Sequence, residues 1–113
     1  MKQIIAYLNE HKLEAVLLAL ERVEGVSGVS VIAVQGRGRS RASDPVELCD
    51  QDDDALRPKV KIELCCAAQA AEAIISAIEQ SAHTGLRGDG KIYLLPVDEA
   101  VRISSGERGC RAV

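Results

Sequence analysis

Thr84-Gly85-Leu86-Arg87-Gly88-Asp89-Gly90-Lys91 carries the residue types of an anion cradle: three glycines in six residues, with Arg87 and Lys91 beside them. Glycines let backbone N–H groups turn inward and approach a ligand closely, and the two cations add charge for phosphate. The segment is not a P-loop, because Ile92 rather than Ser or Thr follows the lysine. On composition alone a phosphate cradle and a plain Gly-rich turn are equally served. A second candidate is Gly36-Arg37-Gly38-Arg39-Ser40-Arg41. In extended backbone its three arginines, two apart, share one side, an array suited to phosphate or carboxylate oxygens. A solvated basic stripe, balanced by the nearby acidic run, is the plainer reading. The third candidate is the tail Val101 to Gly109, where Arg102 can reach a neighbouring phosphate if the terminus is ordered.

Other groups carry less chemistry. Asp50, Asp52, Asp53 and Asp54, with Glu47 and Cys49 nearby, invite a metal. Near-contiguous carboxylates do not all converge on one ion, so the run reads as a solvated loop. His83 reads as a residue interacting with its helix end and His11 as a surface residue, and neither is assigned to a metal. Cys49, Cys65, Cys66 and Cys110 match neither a disulfide scaffold nor a paired CxxC site. On a strand Cys65 and Cys66 point to opposite faces, so one of them should fill the core; a redox link between Cys49 and Cys110 stays a minor alternative. No nucleophile, base and orienting group stand at motif spacing, so no catalytic residue and no enzyme activity is expected.

These segments must be held by one small domain. The 113 residues suffice for a single core, and the reading is one domain over 1–113. With no Trp or Phe, two Tyr and a net charge of −3, the chain lacks stacking platforms and basicity for nucleic acid. No run reaches the roughly 20 apolar residues of a membrane span, and Asn9, Glu10 and His11 interrupt any leader-like start. A cytoplasmic protein without membrane insertion is expected.

Periodicity supplies the elements. Gln3 to Leu8 suits a buried strand, and Asn9 can cap the helix after it. Leu13, Val16, Leu17, Leu20 and Val23 make the stripe of a helix over 12–24 that Gly25 ends. A strand is predicted over 28–36, then a loop over 37–57, long enough in so small a domain to suggest a job. Val60, Ile62 and Leu64 alternate with Lys59, Lys61 and Glu63 in a third strand over 58–66. Ala71, Ile74, Ile75, Ile78 and Ala82 mark a helix over 67–83, and residues 91–96 form the last strand. This order is the βαββαβ of an α+β ferredoxin-like sandwich. Its second sheet face needs a cover, which favours an oligomer.

Taken together, Thr84-Gly85, Gly88-Asp89-Gly90-Lys91-Ile92, Gly36-Arg37-Gly38-Arg39, Pro58-Lys59-Val60-Lys61-Ile62-Glu63 and Arg102-Ile103-Ser104-Ser105-Gly106-Glu107 resemble the PII signal-transduction family over almost the whole chain. The last segment matches only in part. The resemblance implies a homotrimer of non-catalytic sensors with an adenine nucleotide (ADP, AMP or ATP) in each cleft between subunits. Its named parts would be a T-loop over 37–57, a B-loop over 84–91 and a C-loop over 101–109. By carry-over, Thr84, Gly85, Gly88, Asp89, Gly90 and Lys91 line the nucleotide, with phosphates on Gly88 to Lys91. Gly36, Gly38 and Arg39 approach from the T-loop base and Arg102 from the adjacent subunit. The nucleotide would set the T-loop, which in this family docks on transporters, enzymes or regulators.

Departures from the family pattern redirect the expectation. Ser40 stands where nitrogen sensors carry a Gln that helps bind magnesium and 2-oxoglutarate, so magnesium is left open and a bicarbonate ion at Ser40, Arg41 and Lys59 is preferred. The loop stretch Leu48 to Asp54 lacks the modified tyrosine, and Ser104 removes a phosphate-end arginine, a hint toward ADP or AMP. The chain is thus similar to divergent PII-like proteins associated with bicarbonate, carboxysome or metal transport, acting on a transporter or carbon-metabolism partner. The alternatives are a nitrogen-regulatory sensor of 2-oxoglutarate and ATP, and a metal-binding structural trimer.

Overall fold

The computed structural model describes residues 1–38 and 56–113. Four strands, β1 (Lys2–Leu8), β2 (Ser30–Gly36), β3 (Arg57–Cys66) and β4 (Gly90–Pro96), form one antiparallel sheet in the order β2-β3-β1-β4. Two helices, α1 (Leu13–Glu21) and α2 (Ala71–Ala82), pack on one face, each entered through a short 3-10 turn. Those turns, Glu10–Lys12 and Ala68–Ala70, shorten both α-helices relative to the stripes that predict them. The arrangement is the α+β ferredoxin-like sandwich.

Strand alternation decides which face is covered. Ile4, Ala6 and Leu8 of β1 and Val60, Ile62, Leu64 and Cys66 of β3 point to the helices and are buried. Val16 and Leu20 of α1 and Ile74 and Ile78 of α2 meet them. Removing each large aliphatic side chain from water contributes about 1.5–3 kcal/mol, enough to fix the register of the central strands. Cys66 fills the core, as the neighbouring-cysteine argument requires, while Cys65 lies on the opposite face and Cys110 is exposed.

Among the described residues nothing covers the other face. Tyr7 and Tyr93 meet edge to face there, with ring centroids 6.2 Å apart. Lys61 lies 5.9 Å from the Tyr7 ring centroid and pairs with Glu63 at 2.7 Å. Ile32, Tyr93 and Leu95 are exposed beside them, and among the described residues β4 is an edge of the sheet.

Asn9 corrects its expected role. It occupies the cap position before Glu10–Lys12, yet its side chain makes no capping hydrogen bond. Its side-chain Oδ1 instead accepts from Lys59, a residue 50 positions away. An ammonium within reach offers the amide oxygen a stronger partner than a 3-10 turn, because charge-assisted hydrogen bonds are the strong ones. Gly25, with φ of 98°, lies past the α1 terminus at Glu21, since Arg22 caps the helix first.

Candidate functional site

The B-loop leaves α2 at His83 and enters β4 at Gly90, and one carboxylate shapes the turn between them. Asp89 accepts from the Thr84 amide at 2.9 Å, from the Gly85 amide at 3.2 Å and from the Thr84 hydroxyl. His83 Nδ1 stands 3.4 Å from the same carboxylate, and the Leu86 amide donates to Thr84 Oγ1 at 3.0 Å. Gly85 and Gly88 take φ of 81° and 78°, the left-handed region that side chains resist. Asp89 therefore faces back into its own loop and holds the glycines in place.

Its titration reflects that position. Burial raises the Asp89 pKa, but the Thr84 hydroxyl, the Thr84 and Gly85 amides and the His83 charge outweigh it and hold the carboxyl below its ordinary 3.8. A depressed carboxylate stabilises the fold above its unfolded value and stops doing so as pH falls through the lower folded value. Protection of the Thr84 and Gly85 amides, corrected for their intrinsic exchange, should thus be complete above pH 3.8 and be lost only as pH falls through the lower folded value. Asp89→Ala should speed exchange at both amides by about tenfold at neutral pH, with core amides unchanged, since a hydrogen bond to a charged group is worth ~1.5–3 kcal/mol. Equal protection in wild type and variant would refute the stapling role.

Lys59 ties this loop to the root of the T-loop. Its ammonium donates to the Gly88 carbonyl at 2.7 Å and to the Asn9 side-chain oxygen. Burial and the Arg57 guanidinium push the Lys59 pKa down, with Asp89 opposing. A Cβ on Gly36, at the end of β2, would lie 3.6 Å from Lys59 Cγ, and one on Gly88 would lie 3.3 Å from Lys59 Nζ. Gly36, Lys59 and Gly88 are thereby neighbours, which brings the T-loop base and the B-loop together within one chain.

Lys91 follows Gly90 at the start of β4, where pairing sets it opposite Tyr7. It is exposed and has no ion-pair partner among the described residues. A cleft of about 380 Å³ runs along this edge between α2 and the β1–β4 pair, lined by Tyr7, Ile78, His83, Asp89, Gly90 and Lys91 among others.

The C-loop stands apart from that cluster. A β-bridge joins Val101 to Arg108, and the Arg102 amide donates to the Glu107 carbonyl at 2.9 Å. Glu99 accepts from the amides of Ala100 and Gly109, both at 3.1 Å, and lies 3.8 Å from Arg108. The Arg102 guanidinium reaches its own chain's Arg111 carbonyl at 3.5 Å rather than the B-loop. Gly38 is described and no described residue lies within 4 Å of a Cβ built on it, whereas Arg39, Ser40, Arg41, Cys49 and the aspartate run lie outside the described residues. Among the described residues no cluster of His, Cys, Asp or Glu could hold a metal ion, and no helix is long and apolar enough to cross a membrane.

Reading the sequence alone misses Asn9. Its signal is the register: Leu8 pairs with Val60, which sets Asn9 beside Lys59.

Comparison with known proteins agrees over the full length. The family model described as Nitrogen regulatory protein P-II matches residues 1–107. Nitrogen regulatory protein P-II of Azospirillum brasilense is 41% identical over 113 residues, covering 100% of both chains. Nitrogen regulatory protein P-II 2 of Methanothermobacter thermautotrophicus is 42% identical, over 100% of this chain and 97% of its own. Among solved structures, Arabidopsis thaliana PII bound to citrate matches with a TM-score of 0.80 and 30% identity, covering 99% of this chain and 91% of that one.

Proposed function

This chain belongs to the nitrogen regulatory protein P-II family, and from that premise we propose that it is a sensor of adenine nucleotides that signals through its T-loop. The family consists of regulatory signalling proteins rather than enzymes, acting as trimers on partner proteins. One observation carries the nucleotide reading: a B-loop stapled open by Asp89 sets left-handed glycines beside the exposed Lys91, which holds no ion pair among the described residues. Backbone amides and an ammonium so placed favour a phosphate. Gly88, Gly90 and Lys91 meet the phosphates, and Thr84, Gly85 and Asp89 hold the loop that presents them. Gly36, Gly38 and Arg39 close the site from the T-loop base, and Arg102 enters from a neighbouring subunit. The sheet face that the described residues leave open mixes Lys61 and Glu63 with exposed apolar side chains, and it supports the homotrimer because Ile32, Tyr93 and Leu95 would otherwise stay in water.

The nucleotide biases the T-loop toward the conformations it contacts best, and a transporter or a carbon-metabolism protein reads the result. A second anion sits at Ser40, Arg41 and Lys59, with bicarbonate preferred because Ser40 supplies no amide for a chelated dicarboxylate. A dicarboxylate such as 2-oxoglutarate is the second reading, motivated by the nitrogen-regulatory relatives, and the Arabidopsis protein bound to citrate shows a polycarboxylate on a protein of this fold.

Thermal unfolding with AMP, ADP, ATP and cyclic AMP tests the central reading. A ligand at 100 times its Kd adds about 2.7 kcal/mol of stability, or roughly 10 °C in a domain of this size. A flat response to all four would overturn it. Calorimetry of ADP with and without bicarbonate or 2-oxoglutarate then separates the second ligands, and an ADP affinity indifferent to bicarbonate removes that ion.

A further inference from the structure

The Lys59 ammonium has three donors, and among the described residues two are engaged, by the Gly88 carbonyl at 2.7 Å and by Asn9. Asn9 must present its oxygen here, because an ammonium offers nothing for an amide N–H to bond. The residue is free for this task, since its side chain caps no helix. β1 and β3 run antiparallel, so the chain position of Asn9 directly past Leu8 keeps its amide beside Lys59 whatever the T-loop does. Lys59 is also only two residues beyond Arg57, where β3 begins and the T-loop returns. Three segments thus meet at one nitrogen: the end of β1, the return from the T-loop and the B-loop.

We propose that Asn9 is a positioning residue for the second-anion site: it holds the Lys59 ammonium on the Gly88 carbonyl, so that an incoming carboxylate or bicarbonate oxygen meets a lysine already ordered. The proposal rests on the reading of Lys59 as an anion contact. A lysine has four side-chain torsions to immobilise, and a ligand that finds them fixed does not bear that entropy itself. The same bond makes the B-loop and the T-loop root move as one unit, which gives the nucleotide loop a mechanical route to the second site.

Two variants separate positioning from mere structure: Asn9→Leu removes the acceptor at similar size, and Asn9→Asp keeps it. In the ligand-free full chain, the Lys59 ammonium is followed by its ¹H–¹⁵N signal at low temperature, assigned through Lys59→Arg. Wild type and Asn9→Asp should show a slowly exchanging ammonium, and Asn9→Leu should lose it. ADP-loaded protein is then titrated with sodium bicarbonate and with 2-oxoglutarate by calorimetry. For whichever anion binds, Asn9→Leu should weaken it about fivefold, with ADP affinity within twofold of wild type. A protected ammonium in Asn9→Leu, or unchanged anion affinity once protection is lost, overturns the proposal. If wild type binds neither anion, the second-ligand reading falls and the ligand half of the proposal falls with it. The ammonium spectrum still decides whether Asn9 holds Lys59.

Discussion

Lys91→Ala should weaken ADP and ATP binding by a hundredfold or so while leaving the unliganded melting temperature within about 2 °C of wild type. A charge-assisted hydrogen bond contributes ~1.5–3 kcal/mol, each 1.4 kcal/mol is tenfold in affinity, and the upper end applies in a cleft where phosphate is partly removed from water. The fold should not notice, because the side chain is exposed and holds no ion pair among the described residues. Backbone pairing of Lys91 with Tyr7 survives truncation, so the loop amides stay where they are. Lys91→Arg should recover part of the loss, since charge returns with altered reach. Calorimetry with both nucleotides reads the result, and an affinity within twofold of wild type would remove Lys91 from the site.

Elements with a clear hydrophobic period are legible in the sequence. Val60, Ile62 and Leu64 alternate with charged neighbours, and burial follows that alternation residue by residue through β3. Ile74 and Ile78 mark the inner face of α2 in the same way. Helix starts are less legible, because the 3-10 turns at Glu10–Lys12 and Ala68–Ala70 satisfy the same spacing over a few residues. Side-chain direction in the B-loop is not encoded by spacing at all. The resemblance to the family implies that Asp89 lines the nucleotide, and the positive φ at Gly85 and Gly88 turns its carboxylate back onto Thr84, a direction no spacing encodes. Asn9 escapes notice for a related reason, since its partner is 50 residues distant and register alone joins them. Lys59 is legible as a cation near the site, but not as the bond between two loops. Arg39, Ser40 and Arg41 fall outside the described residues, so their assignment rests on motif.

Gly90→Ala should be the most damaging single change in the B-loop, lowering stability by about 3 kcal/mol or more and the melting temperature by at least about 10 °C. A Cβ at this position would lie 1.7 Å from the Tyr7 carbonyl oxygen, 2.7 Å from its carbon and 3.2 Å from Leu8 Cα. Side-chain Cβ atoms essentially never come within 3.0 Å of such neighbours, so β4 must move away from β1 by more than an ångström. That displacement lands on the rungs Gly90 to Leu8 and Lys91 to Tyr7, which set where the Lys91 ammonium begins. The residue also sits at φ of 109°, which adds backbone strain of ~1–2 kcal/mol for any L side chain. Gly85→Ala isolates that second contribution: its φ is 81°, but the nearest atom to a new Cβ is His83 Nε2 at 3.9 Å. It should therefore cost only the strain, and Gly38→Ala, with no described residue near a new Cβ and no left-handed φ, should cost close to nothing. Nucleotide affinity should fall in Gly90→Ala even at temperatures where the domain remains folded, because Lys91 is carried off with its strand. Equal melting temperatures for Gly90→Ala and Gly85→Ala would show that β4 yields without cost, and the close approach to Tyr7 would then have no part in positioning the site.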